Sequence, residues 1–192
     1  DFDNTLICYD ELFHAIATER SLLPASIPKY KIAVRDHLRA TGQEHEWTRM
    51  QGEAYGRRIS EARAYDGVLD TLRDLSRSGV SMCVVSHKTR TPYLGEPFDL
   101  HAAARDWLEQ HQFFDKEGLG WSRNQVFFEL TKEQKIDRIL TLGCTHFLDD
   151  LPEILDMLPG SIRGVLFAPE GVSGTNHPWP ILQNWVDLPQ IL

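Results

Sequence analysis

The chain has 192 residues, of which 42% are hydrophobic and 25% are charged, and its formal charge is −8. This composition is typical of a folded globular protein, and the length suits one compact domain with an insertion or with a small second domain. The acidic balance argues against a broad surface for nucleic acid or for an anionic membrane, and no apolar stretch is long enough to cross a bilayer. We therefore expect neither nucleic-acid nor membrane binding.

The cysteines at positions 8, 83 and 144 are far apart and form no Cys-x-x-Cys pair. This pattern is typical of a reduced cytoplasmic protein rather than of a disulfide framework or a zinc site. We therefore expect a cytoplasmic location.

The first six residues, Asp1-Phe2-Asp3-Asn4-Thr5-Leu6, place two carboxylates two positions apart and a hydroxyl two positions further on. In an extended strand, residues i and i+2 point to the same side, so Asp1 and Asp3 can face one pocket. Two carboxylates there can hold a hard divalent cation such as Mg²⁺. With that charge neutralised, one carboxylate can attack a phosphoryl group while the other acts as acid and base. Thr5 can bind phosphate oxygens.

The Asp-x-Asp-x-Thr pattern is short, and alone it is also compatible with an Asx turn or a helix cap. An EF-hand loop does not fit, because the sixth position is Leu6 rather than glycine and the twelfth is not glutamate. A pocket-facing pair of aspartates should follow a buried apolar strand. We therefore expect an apolar run directly before Asp1 in the full-length chain, and a full-length sequence without one would contradict this expectation.

Residues 9–64 have a helical pattern and no convincing strand. Apolar residues from Leu12 to Ala17 share one helix face, a second helix is predicted from Lys29 to Ala40 with Ile32 and Leu38 inward, and a third from Glu44 to Ala62. We interpret this stretch as a small helical block inserted after the first motif.

From residue 65 onward, helical and apolar strand-like segments alternate. Strands are predicted over 80–85, 125–128, 144–148 and 163–167, and helices over 68–79, 99–110, 131–142 and 151–158. Such alternation indicates right-handed βαβ units and a parallel sheet. Ligands bind at the carboxyl ends of the strands in such sheets. This rule brings together the polar residues at the strand ends, which are Asp1, Asp3, Ser86, Asp149 and Asp150.

This order of motifs resembles that of the haloacid dehalogenase superfamily, and the resemblance covers the whole chain. The family's phosphatases carry Asp-x-Asp-x-Thr, a Ser or Thr ending an apolar strand, a helix lysine and an acidic pair ending another strand. The resemblance implies that Asp1 is the nucleophile, that Asp3 is the general acid and base and that Ser86 holds phosphoryl oxygens. It also implies a Mg²⁺ site formed by Asp1, the backbone oxygen of Asp3 and Asp150, with Asp149 as a further candidate ligand.

Two lysines are candidates for the third motif, and the spacing to Asp150 suits either one. Lys132 follows a predicted helix cap at Thr131, and Lys135 lies about one turn later, beside the apolar face. We favour Lys135, because its aliphatic stem can run along the packed face while its amine reaches the strand ends.

The other candidates have simpler alternatives. The pair Asp149-Asp150 could cap a helix, and Ser86 could be a turn residue. His87, Lys88 and Arg90 follow Ser86 and are candidates for substrate contact, with His87 a candidate phosphate ligand, although a solvated loop would also account for all three.

These observations predict an α/β fold, with a Rossmann-like three-layer parallel sheet formed by residues 1–8 and 65–192 and a small helical cap formed by residues 9–64. In the resembling family, such caps close over the site and choose the substrate. The predicted activity is Mg²⁺-dependent hydrolysis of a small phosphorylated metabolite through an aspartyl-phosphate. A phosphotransferase or phosphomutase shares all four motifs, and a non-catalytic domain that binds a phosphorylated ligand is the alternative from another class. The sequence indicates neither the substrate nor the oligomeric state.

Overall fold

The computed structural model of the chain describes residues 1–172 and 177–192. This part of the chain is mixed α/β, with helices and short parallel strands. The α-helices are α1 (Asp10–Glu19), α2 (Lys31–Ala40), α3 (Glu44–Tyr55), α4 (Val68–Arg77), α5 (Leu100–Gln110), α6 (Lys132–Thr141) and α7 (Pro152–Asp156). The strands are β1 (Ile7–Cys8), β2 (Arg63–Ala64), β3 (Val84–His87), β4 (Val126–Glu129), β5 (His146–Asp149), β6 (Arg163–Phe167) and β7 (Ile181–Leu182). Within residues 1–172 and 177–192, no helix is long and apolar enough to cross a membrane.

The chain divides into two compact units. The first comprises Asp1–Ile7, Ala64–Lys88 and Gln112–Leu192, and the second comprises Cys8–Arg63 and Thr89–His111. Residues 89–111, which the sequence analysis assigned to the Rossmann-like part, group with the helices of the second unit. The reason is visible at Trp107, a buried α5 residue whose indole donates a hydrogen bond to the Ala62 carbonyl over 2.8 Å.

The second unit has an aromatic core in which α1, α2 and α3 pack against one another. The ring centres of Phe13 and Trp47 lie 4.7 Å apart, and those of Tyr9 and Tyr55 lie 4.9 Å apart. The predicted apolar face of α1 is buried from Leu12 to Ala17, as expected. The prediction for Ile32 is wrong, because this side chain is 60% exposed.

The strands of the first unit form parallel ladders. β3 pairs with β4, with Ser86 opposite Phe128, while β5 pairs with β6, and β6 pairs with β7. Over the described residues these are separate two- and three-stranded sheets. The parallel βαβ arrangement is therefore confirmed in its coarse form, and the single three-layer sheet is not seen.

The strand predicted over 80–85 begins later than expected, at Val84. The preceding helix α4 explains the delay, because the Val80 amide donates back to the Leu75 carbonyl over 3.0 Å. The Met82 carbonyl is bound by the side-chain amide of Gln125 over 2.8 Å. These bonds hold the residues before Val84 outside the ladder. At its other end the strand continues to His87, so Ser86 lies inside β3 rather than just after it.

Helices α6 and α7 pack their apolar faces against these strands and form one hydrophobic cluster with them. Burial of such side chains contributes about 1.5–3 kcal/mol each. The buried members are Val85, Ile136, Ile139, Phe147, Ile154, Leu155, Ile162 and Leu166.

Candidate functional site

The segment from Asp1 to Leu6 forms a tight turn. The Phe2 carbonyl accepts the amides of Leu6 and Ile7 over 3.0 and 3.2 Å, and Asn4 has a left-handed backbone with φ of 54°, a conformation that asparagine tolerates. Phe2 is fully buried and packs edge-on to Phe128, while its neighbours Asp1 and Asp3 are partly exposed. The Asp3 side chain keeps 19% of its surface exposed, whereas that of Asp1 keeps 6%.

The chain after this turn is held by the C-terminal tail. The Trp185 indole donates to the Thr5 carbonyl over 3.0 Å, and the Thr71 hydroxyl donates to the Trp185 carbonyl over 3.2 Å. A residue near the C-terminus therefore fixes the end of the Asp-x-Asp-x-Thr motif.

Asp1 lies beside the end of β5. Its main-chain nitrogen donates to the Leu148 carbonyl over 2.8 Å, next to Asp149, which ends that strand. Carboxylate oxygens of Asp1, Asp149 and Asp150 lie within 4.8 Å of one another. Oxygen ligands at this spacing can hold a metal ion. Mg²⁺, Mn²⁺ and Ca²⁺ all suit such ligands, so the cluster by itself does not select Mg²⁺.

Lys135 lies between two of these carboxylates. Its Nζ is 2.7 Å from Asp1 Oδ1 and 2.5 Å from Asp149 Oδ2, and the residue is only 2% exposed. Lys132 instead forms an ion pair with Glu153 over 2.7 Å and keeps 35% of its side chain exposed. Of the two candidate lysines, the structure places Lys135 at the acidic cluster.

The acidic pair after β5 is also held by hydrogen bonds. Asp149 Oδ1 accepts the Leu151 amide over 3.0 Å, and Asp150 Oδ2 accepts the side-chain amide of Asn4 over 3.2 Å. The sequence analysis assigned no role to Asn4. Its position between Asp3 and Thr5 was visible, but its partner 146 positions away could not be inferred from any pattern.

Asp3 is held by a second lysine, Lys88, which the sequence analysis considered as a substrate contact or a loop residue but not as a partner of Asp3. Lys88 Nζ lies 3.0 Å from Asp3 Oδ1 and 2.9 Å from Oδ2. The Lys88 amide donates to the Glu129 carbonyl over 2.8 Å and so continues the ladder beyond β3. A Ser-x-Lys step at the end of a strand was the available signal, because residues i and i+2 share a side.

The predicted phosphate ligands occupy different surroundings. Ser86 is 1% exposed within β3, and Thr5 is equally buried. The Thr5 hydroxyl oxygen has no hydrogen-bond partner among the described residues. Phosphate binding by Thr5 and Ser86 stays a prediction.

His87, the third predicted phosphate ligand, has one ring nitrogen occupied. Nε2 lies 3.1 Å from the Leu130 carbonyl, so this nitrogen is the donor. Burial lowers the pKa of His87, and the cations of Lys135 and Lys132 lower it further, while the Leu130 carbonyl acts in the opposite direction. A neutral imidazole is therefore favoured, and any phosphate contact would be a hydrogen bond from a neutral ring.

Among the four aspartates and two lysines of the site, the carboxylates outnumber the ammonium groups by two. Asp1, Asp3, Asp149 and Asp150 carry four negative charges when ionised, and Lys88 and Lys135 neutralise two. Buried charges are costly unless they are paired. One divalent cation would balance the cluster, which is consistent with the oxygen ligands available for it.

A cavity of about 380 Å³ lies in the first unit, beside the starts of β3 and β5. Cys83 and Cys144 both line it, with their sulfur atoms 4.0 Å apart. The hydrogen bond from Cys83 lowers the pKa of Cys144 to about 7, and the same interaction raises the pKa of Cys83. Further lining residues are mostly apolar and include Leu72, Leu75, Val84, Phe147, Val165 and Leu188.

Comparisons of the chain with protein-family models, with curated proteins and with solved structures find no match. The site's geometry and chemistry are therefore the basis for assigning a function.

Proposed function

We propose that the chain is a phosphatase of the haloacid dehalogenase superfamily, which hydrolyses a small phosphomonoester through a phosphorylated Asp1. The observation that carries this proposal is the contact of Lys135 with both Asp1 and Asp149. Three distant segments thereby supply a nucleophile, a cation and a metal-ligand pair to one place. These are the groups that phosphoryl transfer requires, since the reaction depends on positioning and charge stabilisation.

The proposal includes a single three-layer sheet in the first unit. The parallel pairing of β3 with β4, and of β6 with both β5 and β7, supports this part of the proposal.

Mg²⁺ is the proposed cofactor. The carboxylates of Asp1, Asp149 and Asp150 would hold it, together with the backbone oxygen of Asp3. When bound, Mg²⁺ supplies the positive charge that lets an anionic carboxylate approach an anionic phosphate.

Asp1 and Asp3 have complementary roles in the proposed reaction. In the first step, an Asp1 oxygen bonds to phosphorus as the ester P–O bond breaks, and Asp3 gives a proton to the leaving oxygen. In the second step, Asp3 takes a proton from water as the water oxygen bonds to phosphorus and the Asp1–phosphorus bond breaks. Lys135 stabilises negative charge beside Asp1 throughout, and Ser86, Thr5 and His87 bind the phosphoryl oxygens.

The test is phosphate release from a broad panel of phosphomonoesters, with Mg²⁺ and with EDTA, by the native chain and by Asp1→Asn. Asp70→Asn is the matched control, because Asp70 is 84% exposed and pairs only locally with Arg73. We expect Mg²⁺-dependent release that Asp1→Asn abolishes and Asp70→Asn preserves.

Other outcomes would identify the alternatives. Phosphoryl trapping on Asp1 without release to water would indicate a phosphotransferase or phosphomutase. A folded protein that binds Mg²⁺ but shows no phosphate release and no phosphoryl trapping would contradict the proposal. That result would favour a domain that only binds a phosphorylated ligand.

A further inference from the structure

Lys88 is buried and bound to the side chain of Asp3. Its ammonium lies 3.0 and 2.9 Å from the two carboxylate oxygens, and 5.4 Å from the centre of the Phe2 ring. Only 4% of the residue is exposed. Since a lysine is rarely buried unless it is paired, this pair is a built feature of the site rather than a surface ion pair.

Both the backbone amide and the side-chain ammonium of Lys88 are held by hydrogen bonds. Its amide is bonded to the Glu129 carbonyl at the end of the β3–β4 ladder, so the stem starts from a rigid part of the sheet. The ammonium touches both oxygens of Asp3 and thereby restricts rotation of the carboxylate.

We infer that Lys88 is a positioning residue that holds the Asp3 carboxylate for the second step of the proposed reaction, the hydrolysis of phosphorylated Asp1. This inference rests on the proposed function. In that step, the water oxygen bonds to phosphorus, the Asp1–phosphorus bond breaks and Asp3 takes the water's proton. Lys88 touches neither the phosphoryl group nor water in this role, and acts through Asp3.

The two steps differ in how far they need Asp3 when the leaving group is good. With p-nitrophenyl phosphate, the first step requires little help from an acid, because p-nitrophenolate leaves without a proton. Hydrolysis of phosphorylated Asp1 requires a base for every substrate. A positioned acid or base contributes about 10²–10⁴-fold to such a step, so loss of Lys88 should slow the second step far more than the first.

The experiment is rapid-mixing kinetics of Lys88→Met with p-nitrophenyl phosphate and Mg²⁺, following p-nitrophenolate and phosphorylated Asp1. We expect the first turnover to slow less than about tenfold and hydrolysis of phosphorylated Asp1 to slow about 10²-fold or more, so that a burst appears. Lys88→Arg retains a cation that can contact both oxygens and should restore part of the second step. Lys116→Met, at an exposed position, is the matched control and should behave as the native chain.

A second measurement separates action through Asp3 from direct action on phosphate. If Lys88 acts through Asp3, Lys88→Met combined with Asp3→Asn should be no slower than Asp3→Asn alone. Additive losses in the double variant, or equal slowing of both steps in Lys88→Met, would overturn the inference. If Lys88→Met does not fold, the same comparison is made with Lys88→Gln and Lys88→Arg. A native chain that forms no phosphorylated Asp1 would instead overturn the proposed function, and the role of Lys88 with it.

Discussion

Lys135 Nζ lies 2.7 Å from Asp1 Oδ1, with 3% and 6% of the two side chains exposed. The same amine lies 2.5 Å from the fully buried Asp149. One cation thus separates two carboxylates that would otherwise face each other in a site of low solvent access. This arrangement makes Lys135 important for folding as well as for the proposed chemistry.

Lys135→Met should lower the free energy of unfolding by about 3–5 kcal/mol, the usual cost of removing one partner from a buried ion pair. The cost arises because two carboxylates lose their shared cation. Mg²⁺ should restore part of the stability, since it can neutralise the same oxygens. Urea denaturation with and without Mg²⁺ measures both effects.

Lys132→Met is the matched control for this experiment. Lys132 lies on the same helix, and its pair with Glu153 is partly exposed, so its removal should cost about 1 kcal/mol or less. Equal losses of stability in the two variants would contradict the placement of Lys135 at the acidic cluster.

Asn4→Gly should weaken metal binding by about 10–100-fold, the usual effect of losing a group that orients a metal ligand. The side-chain amide of Asn4 donates to Asp150. Glycine is the appropriate replacement because the backbone of Asn4 is left-handed, and a residue with a Cβ other than Asn or Asp would add strain. Calorimetric titration with Mg²⁺ or Mn²⁺ measures the affinity.

The control for this titration is Asn184→Gly, since Asn184 is exposed and its amide lies 3.5 Å from Asp187. This variant should keep the native affinity. Unchanged affinity in Asn4→Gly would show that Asn4 does not orient a metal ligand.

The sequence predicted much of the site because its principal residues follow rules of local geometry. Asp149 ends β5, where a parallel sheet brings distant residues together. Asp1 lies beside that strand end, and Lys135 lies on the packed face of a helix. The roles of Lys88 and Asn4 were missed because each is defined by a partner far along the chain. Charge and spacing alone do not distinguish a buried lysine such as Lys88 from a solvated one.

The fold was predictable to a similar extent. Hydrophobic periodicity located the helices and the parallel strands, but it does not specify the surface against which an apolar face is buried. The sequence therefore did not indicate that α5 groups with the helices of the second unit. Ile32 was placed inward on the same kind of pattern, although the neighbouring helices cover Val34 and Leu38 instead.

His87 should titrate below its ordinary pKa of 6.5. The unfolded chain takes up this proton near 6.5, whereas the folded chain resists it, so the unfolded state binds more protons as the pH falls through 6.5. The contribution of neutral His87 to the free energy of unfolding is therefore complete above pH 6.5. It is lost as the pH falls from 6.5 through the lower pKa that His87 has in the folded chain. NMR of the imidazole measures the midpoint directly.

Two variants test the causes of this shift. Lys135→Met should raise the pKa of His87, because the Lys135 cation is one cause of its lowering. His87→Asn should lessen the loss of stability between pH 7 and pH 6. A midpoint at or above 6.5 in the native chain would contradict the burial of the ring.

Gly52→Ala should destabilise the protein. A Cβ at Gly52 would lie 2.8 Å from both the Leu94 carbonyl oxygen and the Pro92 Cβ. Alanine is favoured over glycine in a helix by about 1 kcal/mol, but overpacking costs about 1–3 kcal/mol, and a backbone carbonyl cannot move without displacing its loop. Chemical denaturation should therefore show a net loss of stability.

At Gly160 a Cβ would meet nothing within 4 Å, so Gly160→Ala should change stability by less than about 0.5 kcal/mol. A stabilised Gly52→Ala would show that the loop yields easily.

Cys144 should be the first cysteine of the 192-residue chain to react with iodoacetamide. The thiolate is the nucleophile, and the hydrogen bond from Cys83 lowers the pKa of Cys144 to about 7. Cys8 is buried, and the pKa of Cys83 is raised, so both should react later.

The rate of labelling at Cys144, followed by peptide mapping, should rise with pH around a midpoint near 7. Cys83→Ala removes the donor, so the midpoint should move up toward the ordinary value of 9, and labelling at pH 7 should slow. Preferential labelling of Cys83, or an unchanged pH profile in Cys83→Ala, would show that the two thiols do not share a proton in solution.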